Sequence, residues 1–316
     1  MDGRGCTRRS FVRSASLVAG AWWLGRRHCG AGEGDEGQAV HMATNQYPWF
    51  TFFRREGRDF NASLEASLAE VAASGVDGFE PLGTSPEGVD RLVPLLKKHG
   101  LEMRSLYVNS VLYDRQRAGA SIEQVLAIAG RARRAGARII VTNPSPIRWG
   151  GRQDKSDDQL RFQADALNQL GERLRAAGLS LAYHNHDIEL RHAAREFHHM
   201  MVGTDPELVG LCLDAHWIYR GAGHSQVALF DVVELYGRRI RELHLRQSRE
   251  GIWTETFGEG DIDYARLAAR LNQLGVRPHL VLEQAVEKGT PKTMGPVEAH
   301  RRGLQYARRV LAVLAG

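Results

Sequence analysis

From Asn45 onward the chain repeats one pattern: a short apolar run, a loop holding polar residues, then an amphipathic segment that ends near a glycine. Short β-rich runs fall at 45–49 (the weakest), 78–81, 103–108, 138–142, 179–185, 208–214, 240–245 and 279–283. Between them, segments 64–75, 88–100, 121–136, 157–178 and 263–275 place apolar residues three and four apart, which predicts helices. Gly75, Gly100, Gly136, Gly178 and Gly275 close those segments, where a helix turns into the left-handed conformation. Eight strands alternating with helices predict a single (β/α)8 barrel over residues 44–316. A doubly wound open sheet is the competitor. It wants a glycine-rich loop after its first strand, and here that position reads NQYPWF.

In such a barrel, chemistry collects where the strands end. The residues closing the predicted strands are Glu80, Asn109, Asn143, the run His184 to His186, then Asp214, His216, His244 and Glu283. One polar strand end is unremarkable; four late strands in a row ending in His, Asp, His and Glu point to a metal or catalytic centre. Without cysteine, these nitrogen and oxygen donors suit Mn²⁺, Co²⁺, Fe²⁺, Zn²⁺ or Mg²⁺. Such an ion polarises a carbonyl or hydroxyl and acidifies the neighbouring C–H, and a carboxylate or histidine alongside moves the proton. Asp214, His244 and Glu283 supply three ligands, with a fourth from the fifth strand.

Composition adds little. With 43% hydrophobic and 25% charged residues the chain is ordinary and globular. Of its three cysteines, Cys6 and Cys29 fall in the leader and Cys212 sits in an apolar run, where burial is expected. Residues 1–43 are set apart as an N-terminal signal segment. Thr7 to Arg13 (TRRSFVR) resembles a twin-arginine export signal, and the mildly apolar run 14–25 is too short for a permanent membrane anchor. A periplasmic protein is expected, with cleavage near Ala39 or Ala43. That segment holds six arginines and four acidic residues, which leaves 36 basic and 33 acidic side chains in the barrel, a net +3. No basic run with interleaved aromatics appears, so nucleic acid is not an expected partner.

The segments YHNHDIEL (183–190), LDAHWIYRGAG (213–223), ELHLRQSREGIWTETFGEGDIDY (242–264) and LVLEQ (280–284) resemble the xylose isomerase-like barrel superfamily of sugar isomerases and epimerases. VDGFEP (76–81) and Pro48-Trp49 fit the same group. The resemblance implies one divalent metal on Asp214, His244, Glu283 and a fourth ligand. Where many relatives place a glutamate before the asparagine, this chain has His184. Position favours His184 as that ligand, with Glu189 as the alternative. Arg246-Gln247 stands where Lys-Asp is common.

The resemblance implies proton transfer next to a carbonyl of a sugar or keto-sugar, with Glu283, His186 and Glu189 as candidate proton carriers. The alternative is a lyase or dehydratase, eliminating from a 3-keto-glycoside or inosose-like substrate. An endonuclease IV-like phosphodiesterase and a sugar-binding barrel without turnover are the weaker readings. Trp49, Glu80, Asn109, Trp217 and Arg246 are the expected contacts to a small carbohydrate. Trp253 and Arg220 could join them, against default roles in core packing and ion pairing.

Overall fold

A computed structural model describes residues 40–315; the leader read as an export signal lies outside the described residues apart from residues 40–43. Eight parallel strands form the sheet: β1 (Met42–Asn45), β2 (Gly78–Glu80), β3 (Ser105–Tyr107), β4 (Ile139–Thr142), β5 (Ser180–His184), β6 (Val209–Asp214), β7 (Ile240–Leu245) and β10 (His279–Leu282). A small hairpin, β8 (Ser248–Arg249) and β9 (Ile252–Trp253), intervenes after β7. The sheet runs β2-β1-β10-β7-β6-β5-β4-β3, and bridges Gly78–Glu102 and Leu82–Tyr107 bring β2 beside β3. This is the predicted (β/α)8 barrel.

The outer helices are α1 (Gln46–Arg55), α2 (Leu64–Ala73), α3 (Pro86–Lys98), α4 (Ala118–Arg134) and α5 (Asp157–Ala176). They continue with α6 (Arg191–Gly203), α7 (Ala215–Gly221), α8 (Gln226–Tyr236), α9 (Tyr264–Gln273) and α10 (Pro296–Val310). Helices α2, α3, α4, α5 and α9 match the predicted segments within about three residues at each end, and all five flanking glycines take a positive φ. Side-chain oxygens cap several starts; Ser156 and Gln159 form a reciprocal box at the head of α5.

The first strand lies earlier than expected. Residues 46–49 open α1 instead: the Asn45 side chain accepts from the Tyr47 N–H at 2.7 Å, and Pro48 sits in the first turn, where an N–H is not required. The strand is the fully buried run Met42–Asn45, with Met42 registered on Leu280. A cut at Ala43 would therefore remove half of β1. No helix among the described residues is long and apolar enough to cross a membrane.

Strand alternation divides the side chains between two environments. Leu181, Tyr183, Leu211, Leu213, Leu243, Leu245, Leu280 and Leu282 face the helices and join the main core. The residues between them turn into the barrel: Ala182, Cys212 and Val141 form a small apolar plug with Tyr107. Cys212 is free and fully buried.

Candidate active site

The same alternation aims His184, Asp214 and His244 into the barrel mouth, and Glu283 follows directly on β10. The register sets Asp214 beside His244 and His184 beside Cys212. One donor atom from each of His184, Asp214, His244 and Glu283 lies within 4.8 Å of the others, and all four residues are buried. His244 Nδ1 is 3.0 Å from Glu283 Oε2, and His184 Nε2 is 4.0 Å from both Asp214 Oδ2 and Glu283 Oε2. Behind His244 lies a second layer: its Nε2 is 3.0 Å from Glu242 Oε1 and 3.1 Å from Glu80 Oε1. These contacts orient the ring from below.

Arg246 continues the inward face of β7. Its guanidinium is buried, stacked over Trp253 at 4.3 Å and near Trp217 at 5.0 Å. Its Nε donates to the Glu283 backbone carbonyl at 3.0 Å, and an Nη lies 2.8 Å from Glu283 Oε2 and 3.6 Å from Asp214 Oδ2.

The electrostatics follow. Burial pushes the Glu283 carboxyl up, but Arg246 and His244 outweigh it and hold it well below its ordinary value. Burial, helped by Glu283 and opposed by Arg246, raises Asp214 to about 7. Burial, with the neighbouring His186 and His244 rings, keeps His184 neutral, and burial lowers His186 to about 4.

The four-residue group suits a divalent ion. Both ring nitrogens of His184 and Asp214 Oδ2 are buried without a hydrogen-bond partner among the described residues. Unpartnered buried donors of this kind are costly unless something binds them. In the neighbouring set Glu80, Glu242 and His244, the His244 ring is already held by Glu242 Oε1 and Glu80 Oε1, and Glu242 Oε2 is the one carboxylate oxygen left without a partner among the described residues. Glu189 does not belong to the donor group. Its carboxylate accepts from the Asn143 side chain at 3.1 Å and from the His186 N–H at 2.7 Å, so it braces the 185–189 turn. Gly221 lets α7 close on that turn: a Cβ there would sit 3.0 Å from Asp187 Cα.

Over this floor opens a cavity of about 400 Å³. Asn109, His186, Asp187, Arg246 and Glu283 supply its polar lining, and Tyr47, Leu82, Tyr107, Trp149 and Trp217 its apolar and aromatic walls. Of the expected substrate contacts, Asn109, Trp217 and Arg246 reach it. Trp49 does not: it is fully buried, stacked on His300 at 4.2 Å with its indole N–H on Thr44 Oγ1 at 3.2 Å, because α1 turns it into the core. Nor does Glu80, whose carboxylate is taken by Asn45, Ser105 and His244 inside the barrel. Glu189, read as a proton carrier, likewise does not line the cavity. Trp253 packs under Arg246, and Arg220 pairs with Glu287 at 2.6 Å.

Two features escaped the sequence reading. Trp149, 53% exposed, sits in a loop without periodicity and stands edge-on to His186 with ring centres 5.1 Å apart. Glu242 did carry a signal: it lies two residues before His244 on one strand, which places both on the same inward face.

The sequence profile of the xylose isomerase-like TIM barrel matches residues 68–310. An inosose dehydratase of Clostridium botulinum is similar, 22% identical over 280 residues, covering 79% of this chain and 91% of that protein. The crystal structure of a sugar phosphate isomerase/epimerase from Parabacteroides distasonis superposes with a TM-score of 0.68 at 18% identity, covering 89% of this chain and 97% of the other. The 3-keto-D-glucoside 4-epimerase YcjR from E. coli, in its apo form, gives 0.64 at 15%, covering 85% and 99%. The chain belongs to the xylose isomerase-like TIM-barrel family.

Proposed function

We propose that this protein moves a proton at the carbon beside a carbonyl of a sugar or keto-sugar, with a divalent ion held by His184, Asp214, His244 and Glu283. The observation that carries this reading is the convergence of those four buried donors, from four strands, on the floor of an aromatic-walled cavity. When bound, the ion would polarise the substrate carbonyl and acidify the adjacent C–H.

The chain's own residues divide the remaining work. Glu283, kept ionised by Arg246 and His244 against the effect of burial, accepts a proton from the substrate carbon. His186 lines the same cavity as a neutral imidazole and serves a second proton position. Arg246 holds Glu283 through both its backbone and its carboxylate. Trp217 and Trp149 offer faces to a sugar ring.

A second reading is β-elimination from a keto-sugar, and one observation favours it. Among the described residues lining the cavity, Glu283 is the sole buried carboxylate, whereas a symmetrical two-base epimerisation works best with one on each face. The inosose dehydratase similarity points the same way.

The test is metal analysis of the purified protein, followed by incubation with scyllo-inosose and 3-ketoglucose in heavy water. Solvent deuterium at the carbon beside the carbonyl supports epimerisation; loss of water with a new ultraviolet absorbance supports elimination. A protein that takes up no divalent ion sinks the proposed metal role. A metal-loaded protein doing neither with these probes counts against the proposed chemistry.

We also propose export to the periplasm through the twin-arginine segment. Replacing Arg8 and Arg9 together by lysine should strand the protein in the cytoplasm on fractionation; unchanged export refutes this.

A further inference from the structure

We propose a second binding site at the opposite, N-terminal mouth of the barrel, for a small, multiply charged oxyanion of the phosphate type. A cleft of about 500 Å³ opens there, lined by Arg104, Arg138, Arg241, Arg277, His41 and His279. The barrel assembles it from strand starts. Arg104 and Arg138 directly precede β3 and β4, Arg241 is second in β7, Arg277 lies just before β10, and His41 and His279 stand at the heads of β1 and β10.

The charge there is largely uncompensated. Arg104 Nε sits 2.6 Å from Glu102, and among the described residues no other carboxylate lies within 4.0 Å of any of the four guanidiniums. Arg138 donates to the carbonyls of Gly136 and Ala137 at 3.2 Å, and Arg241 to that of Arg238 at 3.3 Å. Arg277 reaches the Val276 carbonyl at 3.2 Å and Asn272 Oδ1 at 2.6 Å. Nearby Asp77 is engaged by Arg308 at 2.9 Å. Four arginines against one glutamate leave a local +3, which equals the whole surplus of residues 44–316. The rest of the barrel is balanced, so this mouth carries its field.

The imidazoles of His41 and His279, centred 5.5 Å apart, add buried ring nitrogens: His41 Nδ1 and His279 Nε2 have no hydrogen-bond partner among the described residues, and His41 Nε2 lies 3.4 Å from Glu102 Oε2. Guanidinium forks and imidazole N–H groups converging on one concavity match the oxygens of a tetrahedral oxyanion. No tryptophan, tyrosine or phenylalanine lines the cleft, so nothing there offers a base the stacking face that single-stranded nucleic acid uses. Inorganic phosphate, pyrophosphate and a sugar phosphate share the required chemistry.

Isothermal titration of the full chain at low ionic strength tests the site with inorganic pyrophosphate, glucose 6-phosphate and sulfate as separate probes. The expected result is one-to-one binding of pyrophosphate that weakens as salt rises. The variant Arg138→Gln/Arg277→Gln, exposed at both positions, should weaken it about tenfold or more, the loss of one charge-assisted hydrogen bond of about 1.5 kcal/mol. Its melting temperature and metal content should be unchanged. Tighter binding of glucose 6-phosphate that is lost in the same variant also supports the site and identifies a sugar phosphate as its ligand. Absence of one-to-one binding, or binding that the double variant leaves intact, overturns the proposal. So does binding that Asp214→Asn alone abolishes, because it would place the anion at the metal site.

Discussion

Replacing Glu189 by glutamine isolates the energetic cost of the charge behind the His184–His186 turn. Burial, reinforced by Glu196, raises this carboxyl from 4.5 to about 7, against the opposing pull of Asn143 and Lys155. The folded chain therefore holds a proton that the unfolded chain has already released between those two values. The contribution of Glu189 to stability is most favourable below pH 4.5 and is lost as pH rises toward and through 7. A rise of that size corresponds to about 3 kcal/mol.

Glutamine removes the charge but not the shape. Its carbonyl can accept from either Asn143 or the His186 N–H, not both, so one hydrogen bond worth about 1 kcal/mol is lost at every pH. The variant should thus be within about 0.5 kcal/mol of wild type at pH 5, where the unfolded carboxyl is already mostly ionised, and about 2 kcal/mol more stable at pH 8.5. Urea unfolding at half-unit pH steps, with both proteins in one buffer series, measures the difference. A difference that stays constant from pH 5 to 8.5 would show that Glu189 titrates normally and would refute the reasoning.

Three further outcomes follow from the site and the core. Asp214→Asn keeps the Oδ1 that accepts from the Trp217 N–H at 2.9 Å, so the α7 cap survives and the melting temperature should move by only a few degrees. Divalent-metal affinity should fall by at least about tenfold; unchanged metal content after dialysis would contradict the ligand assignment. Trp49→Ala should cost about 3–5 kcal/mol in denaturant unfolding, because a filled core site empties, while leaving the KM of surviving enzyme alone. Trp149→Ala should do the reverse: stability within about 0.5 kcal/mol, and a KM raised about three- to tenfold by loss of a ring contact worth about 1 kcal/mol. A Trp149→Ala protein that binds its sugar normally would remove the rim from the substrate site.

How far the sequence reached is clearest on β7. The alternation in IRELHLR carried, unread, the placing of Glu242, His244 and Arg246 on one face by local geometry alone. It could not say that Glu242 meets Glu80 beneath His244, because that contact depends on strands β2 and β7, which are not neighbours in the sheet. Arg246 was read as an expected substrate contact; its seat between two tryptophans and two carboxylates comes from the β9 hairpin and α7 folding over it.

The sequence by itself determined the barrel and the polar residues that close its strands, Asp214, His244 and Glu283 among them; these follow from two short periodicities, 2 for strands and 3.6 for helices, that every chain segment expresses on its own. Naming His184 rather than Glu189 as the fourth candidate donor rested on the family resemblance. Tertiary structure alone decided that Trp49 belongs to the core, that Glu189 braces a turn beside the donor group, and that Trp149 reaches the cavity. It also gathered arginines from four separate strand starts around one cleft. Those outcomes depend on how strands far apart in the chain are staggered around the barrel and on where the loops close, and no local pattern encodes either.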